Sequence, residues 1–213
     1  MTEGIIFDMD GVLVDSEPFH TLIEKRQFAL NGISMPEEEH LSYMGTASEM
    51  MWKDIQEKYK TGASVKELLE QNRTESIRFF SELDHLPVMD GLPELLKKLR
   101  SKNYPLAVAS SSFPEIIELI LVKSDLKKYF KVIVSGEEAG KSKPAPDIFL
   151  LAARKLGVSP ENCMVVEDSQ NGIKAARAAG MFCVAYQGGS ADPLRQKEAD
   201  AVIKSYSQLE MLL

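Results

Sequence analysis

Six short apolar runs, five of them stopped at once by a polar or charged residue, constrain this 213-residue chain more than any other feature. They fall at residues 4–7, 106–109, 132–134, 164–166, 182–185 and 201–203. Runs this short and this continuous read as strands buried on both faces rather than as half-exposed ones, which would alternate. Helical spacing fills the gaps between the later runs. Leu92, Leu95, Leu96 and Leu99 recur along 91–101, and Ile148, Leu151, Ala152 and Leu156 along 144–156. An alanine-rich stretch, 175–179, stops at Gly180, a helix-ending residue. Strand–helix alternation from about residue 88 to the end predicts an α/β fold with a doubly wound parallel sheet.

Residues 16–86 break that rhythm, because they contain no strand-like run. Ser16 is placed to cap a helix reaching Asn31, with Pro18 in its first turn and Gly32 beyond its end. A second helix is predicted over 47–59. A third, over 64–83, sets Val65, Leu68, Leu69, Ile77, Phe80 and Leu83 roughly along one stripe. The expected organisation is therefore a core of 1–15 and 87–213, with an all-helical domain, 16–86, inserted after the first strand.

Composition limits the partners. A formal net charge of −7 argues against a general nucleic-acid binder, which needs a basic face. A small anionic substrate remains compatible, since a local positive site suffices. No run approaches a membrane span, and Asp8 and Asp10 arrive before any stretch that could serve as a signal peptide. Cys163 and Cys183 lie in apolar runs and read as buried thiols in a reducing compartment. A cytoplasmic monomer without nucleic-acid or membrane partners is expected.

Chemistry-bearing residues collect at one edge of the predicted sheet. Asp8-Met9-Asp10-Gly11 ends the first strand, Ser110 follows the second, Lys143 precedes the helix after the third, and Glu167-Asp168 ends the fourth. In open α/β sheets ligands gather at the carboxyl ends of the strands. Carboxylates brought together there repel unless a cation or shared proton neutralises them. A hard divalent cation, typically Mg2+, is the simplest compensation for an all-oxygen set. Taken singly, each residue has a plainer use: Asp in a turn, Ser110 as a helix cap, Lys143 on the surface, Glu167 and Asp168 favouring a helix N-terminus.

Taken in order, the stretch from Asp8 to Ser16 (DMDGVLVDS), Ser110, Lys143-Pro144 and Glu167-Asp168 resembles the four motifs of the haloacid dehalogenase superfamily. The helical insertion resembles the cap of its subfamily I, in the group of β-phosphoglucomutase and sugar-phosphate phosphatases. The resemblance spans essentially the whole chain and implies a Rossmann-like core. It implies Asp8 as nucleophile through an aspartyl-phosphate, Asp10 as general acid/base, Ser110 as a phosphoryl hydrogen-bond donor and Lys143 as the stabilising charge. It implies Asp8, the Asp10 backbone carbonyl, Glu167 and Asp168 as metal ligands.

Specificity is expected in the insertion. Mutases of this group carry a Lys-Gly-x-Ser-Arg loop whose arginine grips a second phosphate. Here the loop reads Met44-Gly45-Thr46-Ala47-Ser48, without lysine or arginine. A further mutase lysine corresponds to Asn72 or Arg73, and the alternatives stay open. The missing cations favour water as acceptor, hence a phosphatase for a small phosphorylated metabolite such as a sugar phosphate. His20 matches a mutase histidine and keeps a β-phosphoglucomutase-type isomerase as the alternative. Gly45, Thr46, His20, Ser111 and Ser112 are the candidate substrate contacts, Ser112 doubling as a possible helix cap. His40 and His85 are expected on the surface, and Trp52 with Met50-Met51 in helix core or at the interface with the core domain.

Overall fold

A computed structural model describes residues 2–43, 46, 48–188 and 198–213. The apolar runs become β1 (Gly4–Phe7), β2 (Leu106–Ser110), β3 (Val132–Ser135), β4 (Cys163–Glu167), β5 (Phe182–Tyr186) and β6 (Ala201–Ile203). All pair in parallel in the order β3-β2-β1-β4-β5-β6. β1 is therefore central, with β2 on one side and β4 on the other. The strand order reverses there, and such a switch point opens a crevice beyond the strand ends.

Continuous apolar sequence is explained by helices on both faces. Ile5, Phe7, Val108, Val166 and Val184 point to one side and pack with Leu92, Leu96, Ile117 and Leu209. Those residues come from α5 (Leu92–Ser101), α6 (Pro114–Lys123) and α10 (Tyr206–Glu210). Ile6, Ala107, Ala109, Val165 and Cys183 point to the other and pack with Ile148, Phe149, Ile173 and Ala176. These belong to α8 (Asp147–Leu156) and α9 (Gln170–Ala178), beside the short α7 (Gly136–Ala139). Period-2 alternation thus persists, but both faces are apolar because both are covered. Both cysteines are buried and unpaired, as expected.

Between β1 and β2 the chain forms α1 (Glu17–Leu30), α2 (Glu37–Ser42), α3 (Ser48–Tyr59) and α4 (Val65–Glu82). They enclose a separate apolar cluster of Phe28, Ile33, Met51, Trp52, Ile55 and Leu68. Burying a side chain as large as Trp52 contributes on the order of 2–3 kcal/mol. α4 begins with a complete capping box between Ser64 and Glu67. Met50 departs from expectation. It is 53% exposed, because the inward stripe of α3 is formed by Met51, Trp52 and Ile55.

Three boundaries differ from the sequence reading. α2 was not foreseen; Pro36 precedes it and Glu37, Glu38 and Glu39 fill its first turn, favourable at the helix N-terminus. The helix expected from residue 144 starts at Asp147, since Pro144 and Pro146 occupy the preceding turn, where Ala145 N–H donates to the Ser142 carbonyl at 3.0 Å. Ser16 holds the N-cap position of α1 without capping it, its hydroxyl being engaged elsewhere. The chain leaves and re-enters the sheet side by side. Asp15 N–H donates to the Pro87 carbonyl at 3.0 Å and Met89 N–H to the Leu13 carbonyl at 3.1 Å.

Candidate active site

Beyond the end of β1, Asp8 N–H donates to the Val166 carbonyl of β4 at 2.9 Å, which fixes the nucleophile candidate at the switch point. The chain then turns tightly, with Leu13 N–H bonded to the Met9 carbonyl at 2.8 Å and Gly11 at φ +75°. A β-carbon at residue 11 would lie 2.3 Å from Asp168 Oδ2, so glycine answers both the backbone and the approach of that carboxylate.

Lys143 reaches in from the loop before α8. Its ammonium donates to Asp8 Oδ1 at 2.5 Å, Glu167 Oε1 at 2.7 Å and the Ala109 carbonyl at 3.3 Å. All three donors are thereby used, and the nitrogen lies 5.0 Å from the centre of the Phe149 ring. Lys143 is buried, not the surface lysine that its type alone would suggest. Burial works against its charge, but Asp8 and Glu167 outweigh that and raise its pKa.

Glu167 accepts a second bond from Ser169 N–H at 2.6 Å. It lies against α9 where a β-carbon at Gly172 would stand 1.7 Å from its Oε1. Only a glycine leaves room for it. Carboxylate oxygens of Asp8, Glu167 and Asp168 lie within 4.8 Å of one another. In the metal-free chain burial pushes Asp8 up to about 8; Lys143 opposes the shift while Glu167 and Asp10 add to it. Burial, then Glu167 and Asp8, push Asp168 well above the usual carboxylate range as well. Three carboxylates, Asp8 and Glu167 buried and Asp168 half-buried, outnumber the one ammonium, and an all-oxygen donor set matches a hard divalent cation. The residues fit such an ion.

Asp10 does not join this cluster through its carboxylate. Oδ1 accepts from Ser16 Oγ at 2.5 Å and lies 3.0 Å from His20 Nε2. Oδ2 accepts from Ser112 Oγ at 3.0 Å and Ser110 Oγ at 3.3 Å. Burial alone would raise Asp10, but the charge of His20 and hydrogen bonds from His20, Ser16 and Ser112 prevail and hold it down to about 2. Burial lowers His20, and Asp10 more than reverses this, to about 9. The pair is thus a carboxylate and an imidazolium, with one proton stored on the ring.

Asp8, Asp10, His20, Thr46, Ser111, Ser112, Lys143, Glu167 and Asp168 all line one cleft of about 750 Å³ between the strand ends and α1–α4. Ser110 is the exception. It is buried beneath the cleft floor, where its hydroxyl accepts from Ser112 N–H at 3.1 Å and faces Asp10. Ser112 is not the helix cap either, since Phe113 takes the N-cap position of α6. Gly45, with Met44 and Ala47, lies outside the described residues.

Other residues of the cleft had no signal in sequence. His40 is only 5% exposed, not a surface residue; its Nε2 lies 2.6 Å from Glu24 Oε2 and its ring packs edge-on against Phe28 at 4.9 Å. The pairing joins α1 to α2 across sixteen positions, which no local pattern reports. His85 is exposed, as expected. The Asn72–Arg73 alternatives separate cleanly. Asn72 lines the cleft, whereas Arg73 turns to the core and donates to Glu115 at 2.5 Å and Glu137 at 3.0 Å.

A family model described as haloacid dehalogenase-like hydrolase matches residues 2–180. A phosphorylated carbohydrates phosphatase of Thermotoga maritima is 33% identical over 99% of this chain and 98% of its own. A β-phosphoglucomutase of Bacillus subtilis is 32% identical over 99% of this chain and 93% of its own. Among solved structures, a β-phosphoglucomutase from Clostridium difficile superposes with a TM-score of 0.87 at 27% identity, covering 100% of this chain and 96% of that one.

Proposed function

Because the chain belongs to the haloacid dehalogenase-like hydrolases, among relatives that include sugar phosphatases and phosphomutases, we propose that it is a magnesium-dependent phosphatase. Its substrate is a small phosphorylated metabolite of the sugar-phosphate kind, cleaved through an aspartyl-phosphate on Asp8. The observation that carries this reading is the placement of Asp8 Oδ1 2.5 Å from Lys143 and within the acidic cluster. A lone carboxylate ending a strand needs neither.

Asp8, Glu167 and Asp168, with the Asp10 backbone carbonyl, would hold Mg2+. Bound there, the ion would offset the carboxylate charges and draw charge from the phosphoryl oxygens. Asp8 attacks phosphorus, the bond to the leaving oxygen breaks, and that oxygen takes up the proton stored on the His20–Asp10 pair. Lys143 orients Asp8 and stabilises the equatorial oxygens. Water then attacks the phosphorus of the acyl phosphate, Asp10 accepting its proton, and inorganic phosphate departs. The helical insertion acts as a lid that excludes bulk water.

Water as the final acceptor is supported by the cleft lining. Among the described residues Lys143 is its only lysine or arginine, and it is already committed to Asp8 and Glu167. A bisphosphate intermediate waiting to turn around would find no cationic clamp. The second reading, a β-phosphoglucomutase-type isomerase, is favoured by the His20–Asp10 contact, which couples an insertion residue to the acid/base. Incubation with β-glucose 1-phosphate and catalytic glucose 1,6-bisphosphate separates the two. Phosphate release should outrun glucose 6-phosphate formation, and sustained isomerisation faster than phosphate release would overturn the phosphatase reading.

A further inference from the structure

Positions 68, 72, 76 and 80 of α4 share one inward face, one turn apart. Leu68 and Phe80 are fully buried apolar residues, as such a face requires. Asn72 and Ser76 between them are polar, yet only 8% and 1% exposed, and both line the cleft. Buried polar groups need partners, so the question is where theirs are.

For Asn72 the answer orients the amide. Gln27 Nε2 donates to the Leu68 carbonyl at 2.6 Å, which leaves Gln27 Oε1 as an acceptor. Asn72 meets that oxygen at 3.2 Å and must do so with its Nδ2. Its Oδ1 is then the atom left over, a fixed acceptor with no bond among the described residues. Ser76 Oγ likewise has no hydrogen-bond partner among the described residues, and the carbonyl one turn back, a common resting place for a mid-helix serine, is not used. A preset acceptor and a hydroxyl that can donate or accept stand one helical turn apart, on residues more than nine-tenths buried whose remaining exposure is to the cleft.

Charge decides what could meet them. Among the described residues, the acidic and basic side chains of the insertion that line the cleft are Glu17, His20, Glu24 and His40; His20 is committed to Asp10 and His40 to Glu24. A second phosphate would face carboxylates without a guanidinium or ammonium to receive it. A neutral hydroxyl satisfies Asn72 and Ser76 together. We propose that Asn72 and Ser76 form a hydroxyl-recognition subsite that selects monophosphates whose leaving group is an uncharged, polyhydroxylated carbon chain or ring. This rests on the phosphatase reading above and names its substrate class.

A site built to bond a hydroxyl rejects the analogue that lacks it. The test compares kcat/KM for phosphate release from a hexitol 6-phosphate, n-hexyl phosphate, glucose 1,6-bisphosphate and p-nitrophenyl phosphate. The wild-type chain should favour the hexitol ester over the hexyl ester by about a hundredfold or more. Ser76→Ala and Asn72→Leu should each cut that preference about tenfold, and Asn72→Lys should shift preference toward the bisphosphate. Ser76→Ala removes one oxygen atom and keeps the result readable should Asn72→Leu not fold. A preference unchanged in Ser76→Ala and Asn72→Lys, or a wild-type preference for the hexyl ester or the bisphosphate, would overturn the subsite while phosphate is still released. No release from any of the four esters would instead overturn the phosphatase reading, and the subsite with it.

Discussion

The two walls of the cleft are built on opposite plans. On the core wall, Asp8, Lys143 and Glu167 are charged, buried and tied together, with the Asp8 backbone bonded to β4 and every Lys143 donor in use. On the insertion wall, Asn72 and Ser76 are neutral, sit on a helix, and keep hydrogen-bonding capacity in reserve. Fixed charge placed where phosphoryl charge develops requires no reorganisation during reaction, so rigidity belongs on the strand ends. Neutral groups on a separately packed element can be exchanged without disturbing the chemistry. On the proposed function, the difference assigns to one wall the choice of bond to be broken and to the other the choice of substrate.

The contrast breaks most sharply at Asp8. Asp8→Asn should reduce phosphate release at least about a thousandfold, because it removes the proposed nucleophile. Stability should move the other way in the metal-free protein. Asp8 is raised from 3.8 to about 8, so its contribution to stability is present below 3.8 and is lost as pH rises toward 8. The asparagine variant has no such loss. Urea unfolding at about pH 5 and about pH 8 should show the variant gaining on the wild type at the higher pH; a variant that loses ground there would contradict the assignment.

Gly172→Ala tests the core wall without replacing a charged group. The new methyl would collide with Glu167, so the carboxylate must move. Magnesium affinity should fall about 10- to 100-fold by calorimetric titration, the scale of a lost supporting contact. Unchanged affinity would mean that Glu167 is not held for a metal.

His20→Asn addresses the link between the walls. His20 is raised from 6.5 to about 9, so it contributes stability that is complete below 6.5 and lost as pH rises to 9. Unfolding of the metal-free variant should therefore show a flatter pH dependence across that window than the wild type. An identical slope would place the imidazole's proton elsewhere.

The smallest effect is expected at Arg73, whose ion pairs to Glu115 and Glu137 join α4 to the core at the surface. Its partners are about half exposed, so Arg73→Met should cost less than about 1 kcal/mol of stability and remove part of its salt dependence.

Much of the core wall is legible in the linear sequence, because a buried strand writes itself as a continuous apolar run and its last residue falls at the sheet edge. Asp8, Glu167 and Asp168 could be gathered that way, and Lys143 by its place in the segment between the third strand and α8. Ser16 could not: its spacing before Pro18 reads as a helix cap, and only the folded turn shows its hydroxyl bound to Asp10. Gly172 carries no sequence signal, since its role is the space it leaves for a side chain packed against α9. The insertion wall was least legible. Its polar residues are satisfied across helices, Gln27 by α4 and His40 by Glu24, and periodicity reports which face is inward without reporting what meets it there.

The central claim is that Asp8 carries the phosphoryl group between substrate and water. The direct measurement is acid quenching during turnover of a substrate labelled in its phosphoryl group, followed by digestion and mass analysis. The account predicts label on the peptide containing Asp8, stable in acid, released by alkali, and absent from Asp8→Asn. Turnover with no protein-bound label under rapid quenching, or label on any other residue, would contradict it.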